Sequence, residues 1–296
     1  ASVRVAFVHD DGLSHAAADD AAAAATTTSS SAPPASPPAA TGRAVAVKLL
    51  QRRHMSAVDR QRLAVEIEHL RAASGASAHV VRLRHVVRIG TLYAVATDFV
   101  PGETLERYLT TRGALAEPIA AHMFAQLVDA VGALHQRKIG HHDLNLTNVL
   151  VTPATVPGTL PHVTLIDLGL SVRFANDRAL VSHWAGTPLT CAPEVLSHTP
   201  HAPRGVDVWA CGVLLFCMLH ARYPFDATSL GALRAVVAAN RPRYSPRLSA
   251  RATALIGGML CTSPTRRLKL FQIERHAWLV DNAARCRRLA DTARRL

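Results

Sequence analysis

The amino-acid sequence predicts an α+β fold with two lobes, a small antiparallel-sheet N-lobe with one main helix and a larger, mostly helical C-lobe. Alternation of apolar and polar residues dominates the first hundred positions, helical periodicity dominates the rest, and a Pro-Gly step separates the two patterns. We therefore expect one domain over 1–296, with the N-lobe at 1–100 and the C-lobe at 101–296. The hinge is expected near 98–102, with ligands bound between the lobes.

The first two predicted strands flank a low-complexity segment. Residues 2–12 and 42–50 alternate Val, Ala or Phe with polar residues, as half-buried strands do. Between them, residues 16–41 consist mainly of Ala, Thr, Ser and Pro and show no amphipathic period. We expect 16–41 to be a flexible surface insertion, because it carries too little apolar bulk to be buried.

One helix and two more strands complete the predicted N-lobe. Val58, Leu63, Ile67 and Leu70 recur at helical spacing within residues 58–73, which predicts an amphipathic helix. The runs that follow are rich in Val, Leu and Tyr, which is typical of strands. These strands are predicted at 80–89 and 92–100.

The C-lobe is predicted to be built around a buried helix. Residues 206–221 are apolar almost all round, whereas residues 118–138 carry a single apolar face. The first is therefore expected to be a central buried helix, and the second a long amphipathic helix. Further helices are predicted at 230–240 and 251–260.

Composition narrows the class of protein. The net charge is +12, but the Arg residues are spread through the chain, and no apolar run reaches the ~18 residues that a membrane span needs. Neither nucleic-acid binding nor a membrane span is therefore expected. The five cysteines are odd in number and contain no C-x-x-C pair, which favours free thiols in an intracellular, cytoplasmic protein.

The densest basic run lies at the C-terminus. Arg recurs around a helical turn within residues 285–296. A solvated helix face explains this pattern, and so does a surface for an acidic partner or a lipid headgroup. The sequence leaves both interpretations open.

Several polar motifs then occur in a fixed order. "AVAVK" ends at Lys48, Glu66 follows on the predicted helix, and "HHDLNLTN" spans 141–148. "LIDLG", "GTPLTCAPEVL", "VDVWACG" and "SPTRRL" come next. From about residue 42 to residue 279 this order resembles the eukaryotic protein kinase family. "APEVL", "YPFD" and "HAWL" make it most similar to the calcium/calmodulin-dependent and SNF1-like Ser/Thr kinase group.

The resemblance implies a catalytic set that works with ATP and Mg²⁺. Lys48 is expected to hold the α- and β-phosphates, and Glu66 to orient Lys48. Glu68 is the rival for that role, but Glu66 has the spacing that the family pattern requires. Asp143 is expected to accept the proton of the substrate hydroxyl.

The metal ligands follow from the same resemblance. Asn148 and Asp167 are expected to bind Mg²⁺, because a hard cation prefers oxygen ligands. The resemblance also implies three supporting contacts. They are Thr187 with Asp143, Glu194 with Arg267, and Asp207 with the backbone of the catalytic loop.

A nucleotide slot is implied as well. Thr97 falls at the gatekeeper position, and Asp98 to Val100 would pair with adenine through their backbone. Ala46 and Leu150 would form the roof and floor of the slot.

The sequence departs from the family at the phosphate-binding loop. Where relatives carry three glycines between the first two strands, only Gly12 is available. Glycine lets backbone N–H groups approach phosphate closely, and the neighbouring Asp10 and Asp11 would repel it. We expect weaker clamping of ATP.

Two further departures lie around the catalytic Asp. His142 replaces an Arg that usually pairs with an activation-loop phosphate, and His183 stands where close relatives carry the phosphorylated Thr, although Ser182 is adjacent. These changes favour control without activation-loop phosphorylation. Asn145 replaces a Lys that faces the γ-phosphate, and the lost charge predicts a rate lower by about 10² or more.

Two hypotheses follow. The first is an ATP-dependent protein serine/threonine kinase of reduced activity, acting on a Ser- or Thr-bearing protein. The second is a pseudokinase that binds a regulatory partner as a scaffold. The retained Lys48, Glu66, Asp143, Asn148 and Asp167 favour the first, and the departures favour the second.

Overall fold

The computed structural model describes residues 2–8, 43–156, 158–182 and 186–295. The chain divides into two compact units, one made of Ala1–Ile67 with Arg82–Phe99 and the other of Glu68–Val81 with Val100–Leu296. The predictions for Gly12, His183 and the insertion at 16–41 lie outside the described residues.

The N-terminal unit contains a four-stranded antiparallel sheet in the order β1-β2-β4-β3. All four predicted strands are present, but β3 starts at Leu83 rather than at residue 80. Val80 instead forms an isolated parallel bridge with Leu165, and the N–H of Val81 donates to the carbonyl of Leu165. The strands are β1 (Ser2–Val8), β2 (Arg43–Gln51), β3 (Leu83–Ile89) and β4 (Leu92–Asp98).

The predicted N-lobe helix is α1, Ala57–Ala73. Leu63 and Leu70 are buried, as its periodicity predicts, whereas Val58 is 56% exposed. Val58 lies in the first turn, so the buried face begins one turn later than predicted.

The C-terminal unit is mostly helical, and all four predicted helices are present. Its helix α5 is buried on every side, with Trp209 and Phe216 fully inaccessible, which confirms the central position expected from its composition. The helix α2 was not predicted, because eight residues give too short a periodic signal. The helices are α2 (Leu105–Arg112), α3 (Glu117–Gln136), α4 (Pro193–Leu196), α5 (Pro203–His220), α6 (Leu230–Ala239), α7 (Ala250–Met259), α8 (Leu270–Glu274) and α9 (Ala277–Arg295).

Short strands position the loops of this unit. One sheet has the order β5-β7-β8 and another pairs β6 with β9. Val149 pairs with Leu165, so the residues just before β7 and just after β8 lie at the same end of a hairpin. The strands are β5 (Glu103–Thr104), β6 (Ile139–Gly140), β7 (Val149–Thr152), β8 (His162–Leu165) and β9 (Val172–Arg173).

The predicted ion pair between Glu194 and Arg267 is confirmed. Arg267 Nη1 lies 2.6 Å from Glu194 Oε1, and Arg267 Nη2 lies 2.9 Å from Oε2. The same guanidinium donates to the carbonyls of Cys261 and Gly205. The pair therefore fixes α4 to the start of α5 and to the segment before α8.

Two further sequence expectations concern thiols and the membrane. Cys211, Cys217, Cys261 and Cys286 are free thiols. Within the described part of the chain, no helix is both long and apolar enough to cross a bilayer.

Candidate active site

The N-terminal unit pairs a strand lysine with a helix glutamate. Lys48 Nζ donates to Glu66 Oε1 at 2.7 Å. Glu66 follows Leu63 by three residues and precedes Leu70 by four, so all three share the buried face of α1. Glu68 points elsewhere and pairs with Arg173 at 2.9 Å. Of the two candidate glutamates, Glu66 is the one in contact with Lys48.

Asp207 holds the backbone at the start of the 141–148 loop, as predicted. Its Oδ2 accepts the N–H of His141 at 2.8 Å, and its Oδ1 accepts the N–H of His142 at 2.9 Å. His135 Nε2 also lies 2.8 Å from Oδ2. Burial raises the pKa of Asp207, but the hydrogen bond to His135 and the neighbouring histidine charges outweigh it and leave the pKa below its ordinary value.

Asp143 is fixed by three donors. Its Oδ1 accepts the N–H and the hydroxyl of Thr187, each at 2.9 Å, and its Oδ2 accepts Asn148 Nδ2 at 3.0 Å. The predicted contact with Thr187 is therefore present. A Cβ on Gly186 would come within 2.7 Å of the His142 carbonyl, and Gly186 has φ 107°, so only glycine fits this close approach.

Asn145 organises the same loop. Its Oδ1 accepts the N–H groups of Thr147 and Asn148 at 2.9 Å each, and the Thr147 hydroxyl at 2.7 Å. Its Nδ2 donates to the Asp143 carbonyl at 3.2 Å and to the Thr187 hydroxyl at 2.9 Å. The sequence predicted only a lost charge here. The overlooked signal was ordinary turn chemistry, in which an Asn side chain bonds backbone two residues ahead.

Asn148 and Asp167 lie at the same end of the β7–β8 hairpin. The N–H of Ile166 donates to the Asn148 carbonyl at 2.9 Å, and Asp167 follows directly. Asp167 is exposed, has φ 61°, and accepts the N–H of Gly169 at 2.8 Å through Oδ1. Carboxylate and amide oxygens are suitable ligands for Mg²⁺. The described residues contain no group of three or more His, Cys, Asp or Glu side chains arranged to hold a metal ion.

The residues expected around adenine are divided between the units. Ala46 on β2 faces Thr97 on β4 as a register pair in the N-terminal unit. Asp98 ends β4 and accepts two hydrogen bonds from Arg84, at 2.5 and 2.9 Å, a contact that the sequence did not reveal. Val100 and Leu150 belong to the C-terminal unit, where Leu150 pairs with Thr104.

His142, which precedes Asp143, is 4% exposed and has φ 64°. Its ring centroid lies 5.4 Å from that of His201. The backbone of His201 exchanges two hydrogen bonds with Val181, at 2.9 and 3.0 Å. Two histidines thus lie together where the segment before Ser182 meets the start of α5.

Comparison with known proteins identifies the family. The family model described as "Protein kinase domain" matches residues 37–279. The serine/threonine-protein kinase ppk25 of Schizosaccharomyces pombe is 32% identical over 69% of this chain and 47% of its own length. The SNF1-related protein kinase catalytic subunit alpha KIN12 of Arabidopsis thaliana is 30% identical over 81% of this chain and 47% of its own length.

A third relative agrees with these two. The serine/threonine protein kinase OSK3 of Oryza sativa is 32% identical over 80% of this chain and 45% of its own length. The chain thus spans about half the length of the curated relatives that it matches. Its own similarity is to SNF1-related and other serine/threonine kinases. This chain belongs to the eukaryotic protein kinase family.

Proposed function

We propose that this chain is an ATP-dependent protein serine/threonine kinase that transfers the γ-phosphate of ATP to a Ser or Thr hydroxyl of a protein, at a reduced rate. The observation that carries the proposal is the geometry of Asp143, whose carboxylate is fixed by Thr187 and Asn148. Phosphoryl transfer depends mainly on positioning and charge, so a fixed acceptor for the hydroxyl proton is a central requirement. The proposed kinase domain covers 1–296.

The hydrogen bonds around Asp143 select one oxygen for the substrate. A carboxylate oxygen has two lone-pair positions, and Thr187 fills both of those on Oδ1. Oδ2 accepts only Asn148 Nδ2 among the hydrogen bonds of the described residues. We therefore assign Oδ2 as the atom that accepts the hydrogen bond, and then the proton, of the substrate hydroxyl.

The residues proposed to hold magnesium fit a hard cation. Both hydrogen bonds of Asn148 Nδ2 go to Asp143, at 2.9 and 3.0 Å, so the amide oxygen is the atom turned toward other ligands. Asp167 adds an exposed carboxylate at the same hairpin end. When bound, Mg-ATP supplies the phosphoryl group and neutralises its charge. Asn148 and Asp167 would hold the metal through oxygen atoms, and neither residue would react.

Lys48 supplies a fixed positive charge for the phosphates. Its ammonium group is held by Glu66 at 2.7 Å, and 26% of its side chain is accessible. Thr97, Asp98, Val100, Ala46 and Leu150 are proposed to hold adenine, and Gly12 to lie over the phosphates.

The reduced rate follows from Asn145. Both ends of its amide are used to organise the loop, and an amide offers no net charge to the γ-phosphate. This same observation favours the alternative of a pseudokinase that keeps the loop as a scaffold and regulates a partner protein. The two functions differ in whether phosphate is transferred.

The test is Mg-ATP-dependent phosphorylation of a generic Ser/Thr protein substrate, followed by radiolabel transfer. Wild type should transfer phosphate, Asp143→Ala should not, and Asp177→Ala should match wild type, since Asp177 is an exposed aspartate in surface ion pairs. Equal label with wild type and Asp143→Ala would disprove the kinase proposal. No stabilisation against thermal unfolding at millimolar Mg-ATP would favour the scaffold alternative, because a bound ligand stabilises the folded state, whereas clear phosphate transfer would exclude it.

A further inference from the structure

An open surface depression of about 570 Å³ lies on the C-terminal unit, and none of the residues proposed for catalysis lines it. Helix α3, helix α9 and the segment that leads into β8 form its walls. Its chemistry is cationic. We call it the His–Arg pocket, after His79, His122, His162, Arg287 and Arg294.

The charges that line the His–Arg pocket are unbalanced. Among the described residues that line it, Arg287 and Arg294 carry guanidinium groups and Asp129 is the one acid, whose Oδ2 accepts the hydroxyl of Ser77 at 2.5 Å. Arg294 donates Nε to the Gly158 carbonyl at 2.9 Å, and its Nη1 lies 4.0 Å from Asp291 Oδ1. An anion in the pocket would meet two guanidinium groups, the donors best suited to phosphate.

His122 and His162 should gain charge when an anion binds. His79 Nδ1 lies 2.9 Å from the Val163 carbonyl, and the rings of His79 and His162 are 4.7 Å apart. Burial lowers the pKa of His122, and the charges of Arg287, His79 and His162 lower it further. Burial and the charge of His79 likewise lower the pKa of His162. A bound anion would oppose this repulsion, so binding should take up protons.

The walls of the pocket are held together by close packing. Gly158 has φ 78°, and a Cβ there would come within 2.1 Å of Arg294 Cγ. Gln126, which is 8% exposed, donates to the Pro161 carbonyl at 3.0 Å and accepts the N–H of Val163 at 2.8 Å. The segment before β8 is thus fixed to both α9 and α3.

An apolar cavity of about 250 Å³ shares a wall with the His–Arg pocket. Thr159 and Leu160 line both cavities. Pro118, Ile119 and Leu289 line the apolar one, and Leu289 is 58% exposed. A ligand that carries an anionic group next to an apolar side chain would match the His–Arg pocket and the apolar cavity together.

We propose that this surface binds a phosphorylated peptide, with the phosphate monoester in the His–Arg pocket and a neighbouring apolar side chain in the adjoining cavity. A phosphate monoester carries about −1.5 to −2 charge at neutral pH and several acceptor oxygens, which suits two guanidinium groups and adjacent imidazoles. Free phosphate has the same anionic chemistry but leaves the apolar cavity unfilled. The proposal is independent of catalysis.

The probe is a fluorescein-labelled peptide with one phosphoserine flanked by leucines, titrated with the intact chain and followed by anisotropy. Arg287→Glu should weaken binding about tenfold or more, because it reverses a charge inside the pocket. Arg288→Glu is the matched control and should change the dissociation constant by less than about twofold. Arg288 is exposed on the same helix and lines neither cavity.

Three comparisons decide the ligand class. The unphosphorylated peptide and an aspartate version should bind far more weakly than the phosphopeptide, and inorganic phosphate should compete only at much higher concentration. Equal weakening by Arg287→Glu and Arg288→Glu would overturn the pocket in favour of bulk charge. Inorganic phosphate that binds as tightly as the peptide would overturn the peptide assignment.

Proton uptake supplies an independent readout. Calorimetry in buffers of different ionisation enthalpy should show protons bound with the phosphopeptide, and fewer with His162→Gln. His162 is exposed, so this variant should keep its fold, which thermal unfolding checks. Binding without proton uptake would exclude the histidines from the site.

Discussion

Two ion pairs of this chain use the same charges in different surroundings. Arg267 and Glu194 form a two-bond contact in which the side chains are only 1% and 8% exposed. Lys48 and Glu66 share one bond, and the lysine side chain is 26% exposed. The guanidinium is surrounded by carbonyls as well as the carboxylate, whereas the ammonium group keeps access to other partners.

This difference separates stability from function. A buried cation that uses four of its five donors within the protein has little left for a ligand, so its loss should destabilise the fold. A partly accessible lysine held at one point can meet a phosphate without leaving its glutamate. Removal of Arg267 should therefore lower mainly the stability of the fold, whereas removal of Lys48 should lower mainly the activity.

The largest expected effect is on stability, at Arg267. Arg267→Ala should lower the free energy of unfolding by about 3–5 kcal/mol, because it leaves Glu194 as a buried and uncompensated charge. Urea denaturation followed by circular dichroism measures the change. Arg251→Ala is the control, since its pair with Asp281 is exposed on both sides and should contribute less than about 1 kcal/mol. Equal losses in both variants would contradict the assignment.

The next effect is on activity, at Lys48. Lys48→Met should lower the rate of phosphoryl transfer by about 10² or more, because the phosphates lose their fixed charge. Its free energy of unfolding should fall by less than that of Arg267→Ala, because the partly solvated lysine gives up one hydrogen bond whereas the buried guanidinium gives up four, although the two carboxylates are equally buried. A stability loss comparable to that of Arg267→Ala would remove the distinction between the two pairs.

A third prediction concerns Asn145, which carries no charge. Asn145→Ala should destabilise the fold by about 1–3 kcal/mol, because Thr147 and Asn148 lose a buried acceptor. Asn145→Lys should do the same and gain little rate, although it restores the charge found in relatives. A Lys variant with wild-type stability and a much higher rate would show that the missing charge outweighs the loop contacts.

The sequence predicted contacts that belong to an ordered set of motifs. Lys48 with Glu66, Thr187 with Asp143 and Glu194 with Arg267 are each between residues named by such a motif. The helices α3 and α5 were predicted because long apolar periods are strong local signals.

Contacts outside those motifs were not predictable. Arg84 with Asp98 depends on strand register, and His79 with Val163 joins residues 84 positions apart. No periodicity or composition signals such pairs, because tertiary packing alone brings them together. The His–Arg pocket was not predictable for the same reason, because the basic C-terminal run forms it only together with residues of α3.

The smallest effect is expected at Glu117, a carboxylate held by neutral donors alone. Its Oε1 accepts the N–H of Ser249 at 2.7 Å, and its Oε2 accepts the Ser249 hydroxyl at 2.8 Å and Trp278 Nε1 at 2.6 Å. Glu117→Gln should cost about 1–2 kcal/mol at neutral pH, because one amide position cannot accept these donors. Urea denaturation measures it, with the exposed Glu106→Gln as the control.

The stability lost in Glu117→Gln should become smaller as the pH falls. Burial raises the pKa of Glu117, but the bonds to Ser249 and Trp278 outweigh it, so the folded-state pKa lies below the unfolded one. The carboxylate therefore stabilises the fold above its unfolded pKa, and that stabilisation is lost as the pH falls through its folded pKa. The difference in free energy of unfolding between wild type and Glu117→Gln should narrow across this acidic range. A constant difference would show that shape rather than charge holds α3 to the start of α7 and to α9.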